Sequence, residues 1–199
     1  MSSNKLSSID IFAKVNFSQL KTLDLSKNQI ENINILAIAK FPNLEDLLLD
    51  QNKIKSIDAM AKINCDKLKK LKLEKNNIKS IDILQNISFK KLNYISIGDD
   101  TLGDKVDCLT KIKFGELEDI YLYLNDSIDR ETPKITGIAT YFEDKGITFN
   151  FISCDDDNDN DINLNENMIL LPCVHGFHDK CVQEWKNTVN LKFVKVYYI

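Results

Sequence analysis

Residues 20–33 read LKTLDLSKNQIENI, residues 44–57 read LEDLLLDQNKIKSI and residues 68–81 read LKKLKLEKNNIKSI. Leu20, Leu44, Leu68 and Leu92 stand 24 residues apart, and Leu117 follows after 25. The first copy places Leu23, Leu25, Asn28, Ile30 and Ile33 at offsets that the second and third repeat. The fourth is weaker: Leu92, Ile95 and Ile97 lead to Asp100 in the asparagine slot and then Leu102. The fifth keeps Leu117, Ile120, Leu122, Asn125 and Ile128. A fixed period of this size is the mark of stacked supersecondary units.

Each Leu-x-Leu alternates as a short strand with two side chains on one side. One such strand cannot bury its own apolar face, but a stack of them makes a parallel sheet and a shared core. The asparagine amide sits where the chain turns away from the sheet and serves backbone groups there. An unmet buried polar group costs about 1–3 kcal/mol, which explains a polar residue at that slot. A further slot closes each unit on the opposite side. Phe17, Phe41, Cys65 and Phe89 are 24 apart, with Phe114 25 further on, and stacked they form an apolar spine.

The pattern resembles the leucine-rich repeat family, and closely its short isoleucine-rich type found in phosphatase-regulatory and similar intracellular proteins. The expected fold class is α/β: a leucine-rich repeat solenoid over residues 1–151 with its parallel sheet on the concave face. Asn4, Leu6, Ile9 and Phe17 match the second half of a repeat, so the chain starts mid-repeat without the usual cap. Lys134 to Lys145 reads as an amphipathic helix, and Ile147, Phe149 and Phe151 alternate like one more strand.

Composition sets the outer limits. The 199 residues are 43% apolar and 28% charged, ordinary for a globular protein. No apolar run approaches the ~20 residues of a membrane span. The N-terminus shows no secretory signal, and a cytoplasmic location is expected. Arg130 is the only arginine, which disfavours nucleic-acid recognition. Lys67 to Lys91 carries eight lysines and reads as a solvated face. Residues 1–150 are balanced in charge, so the formal −4 arises entirely in residues 151–199 and marks a boundary near 150.

Five cysteines without secretory context argue against a disulfide framework. Cys65 falls in the spine, and Cys108 lies 24 after Leu84, which is 24 after Met60, so both are expected in the core. The other three differ. Residues 171–185 read LPCVHGFHDKCVQEW and contain both histidines of the chain. The run resembles the centre of a RING finger of the two-histidine type, and Cys and His at such spacing suit zinc.

The resemblance implies a small degenerate zinc-finger segment over residues 152–199. By the family's order Cys173 and His175 belong to one site, and His178 and Cys181 to the other. Cys154 alone represents the first ligand pair, with Asp157 a candidate oxygen ligand, and the last Cys-x-x-Cys is missing. At most one zinc is therefore expected, held by Cys154, His178, Cys181 and Asp157. A rival reading places Asp155, Asp157, Asp159, Asp161 and Glu166 at the ligand positions of a calcium loop, and a third leaves the acidic stretch free of metal. All similarity ends just after Trp185, so a non-native tail is also an open reading.

Two functions follow. In one, a ubiquitin ligase selects its substrate through the repeats, and Trp185 matches the family residue that packs on a ubiquitin-conjugating enzyme. The missing ligands argue against activity of this chain. In the other, the chain is a non-enzymatic adaptor or phosphatase-regulatory type protein. No phosphate loop or nucleophile motif is present. Both readings place a protein partner on the concave face, where register puts Asp24, Asp46, Asp50, Lys70, Lys72, Tyr94, Tyr121 and Tyr123.

Overall fold

The computed structural model of the chain describes residues 5–15, 17–64, 66–99, 101–102 and 105–153, together with the backbone of short strands at 169–170 and 193–195. The strands are β1 (Thr22–Asp24), β2 (Asp46–Leu48), β3 (Lys70–Lys72), β4 (Ser88–Phe89), β5 (Tyr94–Ile97), β6 (Lys113–Phe114) and β7 (Asp119–Leu124). Helix α1 (Pro133–Glu143) follows, then β8 (Thr148–Ser153), β9 (Ile169–Leu170) and β10 (Phe193–Lys195). The main sheet has the order β8-β7-β5-β3-β2-β1-β10-β9. Every pairing in it is parallel.

The 24-residue spacing sets the register directly. Leu23 lies beside Leu47, Leu47 beside Leu71, Leu71 beside Ile95 and Ile95 beside Ile120. The inward side chains of these positions are fully buried, as are Ile30, Ile54 and Ile81 to within 1%. The stack of repeats is thus a solenoid of parallel strands with one continuous core. Among the described residues, five 3-10 turns line the side opposite the sheet, at Asp10–Lys14, Asn34–Ala37, Asp58–Lys62, Asp82–Asn86 and Asp107–Lys111. Local polar bonds start several of them: the backbone N–H of Asp58 donates to Ser56 Oγ and that of Asp82 to Ser80 Oγ, both at 3.1 Å.

The spine forms as the spacing requires. Phe17 and Phe41 stack at 5.4 Å between ring centroids, and Phe89 stacks on Phe114 at 6.0 Å. Cys65 lies outside the described residues. Cys108 is buried with Met60 and Leu84, and burial pushes its thiol up to about 11. Helix α1 starts at a Thr132 cap with Pro133 in its first turn, and buries Ile135, Ile138 and Phe142. Phe142 stacks on Phe149 at 5.5 Å, so the helix closes the C-terminal end of the core. β8 extends to Ser153, which pairs with Leu124.

The asparagine ladder departs from the sequence expectation in its fourth rung. Oδ1 of Asn28, Asn52 and Asn76 accepts from the backbone N–H of Leu6, Ile30 and Ile54, at 3.2, 3.0 and 3.0 Å. The next bond, from Ile78 N–H, goes to Asp99 rather than to Asp100. The cause is a loop one residue tighter. Gly98 takes the slot of Asp50 and Glu74, accepting from Lys75 N–H as they do from Lys27 and Gln51. Its φ is +110°, and a Cβ there would stand 2.1 Å from the Tyr123 carbonyl oxygen. Asp99 carries no amide donor, so it satisfies Thr101 and Leu102 N–H instead. Asn125 turns its side chain to the local Ser127 N–H.

Candidate functional site: the concave face

Strand residues that flank the inward pair form three rows across the sheet. The first runs Thr22, Asp46, Lys70, Tyr94, Asp119, Thr148. The second runs Asp24, Leu48, Lys72, Ser96, Tyr121, Asn150. The third holds Ser26, Asp50, Glu74, Gly98, Tyr123 and Ile152. Register thus brings all eight expected concave residues onto one face. Asn150 and Ile152 were not among them, although the Ile147, Phe149, Phe151 alternation already implied a concave position for the residues between.

Exposure varies from position to position on this face. Thr22, Asp24, Leu48, Asp50, Glu74 and Ser96 are all 5% exposed or less. Asp46, Lys70, Lys72, Tyr94, Asp119, Tyr121 and Asn150 are half-buried. Asp24 and Asp50 are therefore not free contact groups, as the pattern alone suggested. Asp24 Oδ1 accepts from the N–H and Oγ of Ser26 at 3.0 and 2.6 Å. Tyr123 is also buried, at 8% exposure.

The charges on this face are coupled. Burial, reinforced by Glu74, raises the Asp50 carboxyl to about 7. Ser96 Oγ donates to Glu74 Oε2, and Lys72 Nζ lies 3.3 Å from Glu74 Oε1. Burial pulls the Lys72 ammonium down, but Glu74 and Asp50 outweigh it and hold the group above its ordinary value. Lys70 is shifted the other way, by burial first and by Lys72 second. Burial also raises Asp46, against the bond of 2.7 Å that it accepts from Thr22 Oγ1. These carboxylates and lysines neutralise one another within the sheet surface.

Beyond them lies an aromatic patch. Tyr94 and Tyr121 stack at 5.1 Å with planes 28° apart, and Lys70 Nζ sits 4.3 Å from the Tyr94 ring centre. Burial moves the Tyr94 hydroxyl upward, so it stays protonated and able to donate. Asn150 follows Tyr121 in register, and its Nδ2 is buried with no hydrogen-bond partner. Flat rings with a cation beside them are the groups of a protein contact surface.

Among the described residues no His, Cys, Asp and Glu are grouped to hold a metal ion. The ligand candidates Cys154, Asp157, Cys173, His175, His178 and Cys181, and also Trp185, lie outside the described residues. So do the rival calcium positions from Asp155 to Glu166. No helix among the described residues is long and apolar enough to cross a membrane.

Residues 1–54 match the leucine-rich repeat family model. The match covers the first repeats, and parallel strand pairing continues beyond it to β8. No curated protein sequence matches the chain. Among solved structures, an internalin from Listeria monocytogenes is similar at 15% identity and a TM-score of 0.38. That likeness covers 96% of this chain and 51% of the internalin chain, so the chain spans about half the length of that relative.

Proposed function

We propose that this chain is a protein-binding solenoid whose partner docks on the C-terminal half of the concave face. The observation that carries the reading is the stacked, half-buried Tyr94–Tyr121 pair with Lys70 over the Tyr94 ring. Tyrosine supplies large rigid contact area at small entropic cost and is enriched at binding hot spots. Lys72, Asp46 and Asp119 border the patch and set register through charge. Asp24 and Asp50 act indirectly, by holding Ser26 and Lys72 in place. The partner is a cytoplasmic protein, and neither nucleic acid nor membrane is part of the reading. The test is quantitative affinity capture with the full chain and with a Tyr94→Ala, Tyr121→Ala variant. Proteins retained by the first and lost by the second support the site; an unchanged set of captured proteins overturns it.

The run from Leu171 to Trp185 favours a second activity in the same chain. In this reading His178, Cys181 and Cys154 supply nitrogen and sulfur donors for one zinc, and Asp157 completes a four-donor set of the type zinc prefers. Cys173 and His175 are left as a pair short of a full shell. Trp185 then offers an apolar contact to a ubiquitin-conjugating enzyme, with substrate selected by the repeats. Support comes from the resemblance of residues 171–185 to the centre of a RING finger alone. Elemental analysis of the purified chain tests it: one zinc per chain agrees, two zincs remove the degenerate finger, and none leaves the adaptor.

A further inference from the structure

The 3-10 turns opposite the sheet end by one rule, and the second turn breaks it. Lys14, Lys62, Asn86 and Lys111 hold equivalent places at the ends of four turns, and all are exposed. The residue after each is β-branched and apolar: Val15, Ile63, Ile87 and Ile112. Each is extended and turns back to the core, where Val15, Ile87 and Ile112 are buried. In the second turn the equivalent pair is Ile38 and Ala39. The branched side chain has moved outward, and a methyl group stands where the other repeats are sealed. The backbone follows this exchange. The N–H groups of Ile63, Ile87 and Ile112 donate three residues back, to Met60, Leu84 and Leu109. That of Ala39 donates four residues back, to Ile35 at 3.0 Å, and Ile38 keeps helical dihedrals, at φ −103° and ψ −34°. Ile38 is left 68% exposed, and no other large apolar side chain among the described residues exceeds 36%.

The missing seal leaves an open cavity of about 290 Å³, lined by Phe12, Val15, Ile38 and Ala39 together with Lys14 and Lys40. Charge around it is one-sided. Lys14 and Lys62 flank Ile38 one repeat away on either side, and Lys40 follows it by two residues. All three lysines are exposed, and none pairs with a carboxylate among the described residues. The other four turns begin with Asp10, Asp58, Asp82 and Asp107, but the second begins with Asn34 and adds no acid of its own.

We propose that this cavity docks an acidic segment of another protein, which inserts one apolar side chain beside Ile38 and sets its carboxylates against Lys14, Lys40 and Lys62. The site lies on the side opposite the tyrosine patch and stands independently of it. A single exposed isoleucine needs no explanation. Here it adjoins a cavity opened by Ala39 and three unpaired cations, and the complementary ligand is apolar at its centre and negative at its edges. Pockets for whole small molecules run about 300–1,000 Å³, so a space at that lower limit suits a side chain or two. A lipid surface fits less well, because an interfacial anchor presents a broad apolar face rather than a hollow with one apolar residue beside it.

The experiment selects a displayed library of short random peptides on the full chain and measures the recovered peptides by fluorescence anisotropy. Ala39→Ile fills the cavity and Ile38→Lys removes its apolar rim. Each restores a residue type that the neighbouring repeats carry, so the solenoid is kept, with circular dichroism as the control. The recovered peptides are expected to be acidic around one apolar residue and to weaken as salt is added. Ala39→Ile and Ile38→Lys are each expected to weaken them about tenfold or more, a loss of ~1.4 kcal/mol. Lys14→Glu with Lys40→Glu is expected to abolish their binding. Recovery of no peptide, of basic or neutral peptides only, or of peptides indifferent to Ala39→Ile or to the lysine reversals would each overturn the proposal. Binding of the full chain to phosphatidylserine vesicles that is lost in Ile38→Lys would overturn it in favour of a membrane surface.

Discussion

Asn52 joins two repeats through one side chain: its Nδ2 donates to the carbonyl of Leu25 at 2.8 Å, and its Oδ1 accepts from the N–H of Ile30 at 3.0 Å. Nδ2 also donates to Leu49 within its own repeat. Asn76 repeats the arrangement one step along. Leucine at position 52 leaves buried donors and acceptors on both repeats unmet. At roughly 1–3 kcal/mol for each, Asn52→Leu is expected to cost more than ~2 kcal/mol in urea unfolding. Asn52→Asp keeps the acceptor but sets a buried carboxylate oxygen against the Leu25 and Leu49 carbonyls, so it is expected to destabilise as well at neutral pH. A cost below 0.5 kcal/mol, on the order of a surface change, would show that the ladder is not a support.

The spine offers a second check. Phe41 is 5% exposed and touches the rings of Phe12 and Phe17. Phe41→Ala is expected to destabilise by about 3–5 kcal/mol, as lost transfer energy and a cavity combine. Equal stability of parent and variant would contradict the register.

Among the described residues, three non-glycine residues sit in left-handed backbone, each just before a ladder asparagine: Lys27, Gln51 and Lys75, at φ of 57°, 55° and 54°. This conformation costs an ordinary residue roughly 1–2 kcal/mol. Gln51→Gly relieves that strain but loosens the unfolded chain, so it is expected to be near neutral. Gln51→Val places a branched side chain where it fits worst and is expected to lose about 1–2 kcal/mol. Equal midpoints for the two variants would refute the assignment of strain.

The buried carboxyl of Asp50 sets a pH dependence of stability. Its folded value is raised to about 7, from an ordinary 3.8, so the folded chain binds the extra proton between those limits. Stability from this group is therefore greatest in acid and declines as pH rises to about 7. Glu45 is lowered, chiefly by Lys21 and then Lys69, and its contribution fades only in stronger acid. A higher urea midpoint is expected at about pH 5.5 than at about pH 8. In Asp50→Asn that difference is expected to shrink; an unchanged slope would place the titration elsewhere.

The sequence exposes the solenoid because the fold repeats a local rule. Leu23, Leu47 and Leu71 are equivalent by spacing, and parallel register follows from equivalence alone. The exchange of Asp100 for Asp99 escaped that reading, since a one-residue tightening at Gly98 is invisible to a fixed period. The concave rows were legible as positions but not as surfaces. Whether Asp24 and Asp50 meet solvent depends on how Ser26, Glu74 and Lys72 fold over them. The pairing of β10 with β1 could not be read from the pattern, because residues 193–195 carry no repeat signature and meet their partner across 170 residues of chain.

Hydrogen exchange of the chain with and without a partner captured through Tyr94 and Tyr121 tests the central claim most directly. The account predicts new protection in Tyr94–Ile97, Asp119–Leu124 and Thr148–Ser153, with the 3-10 turns on the opposite side unchanged. Protection confined to those turns, or to residues 171–185, would contradict it.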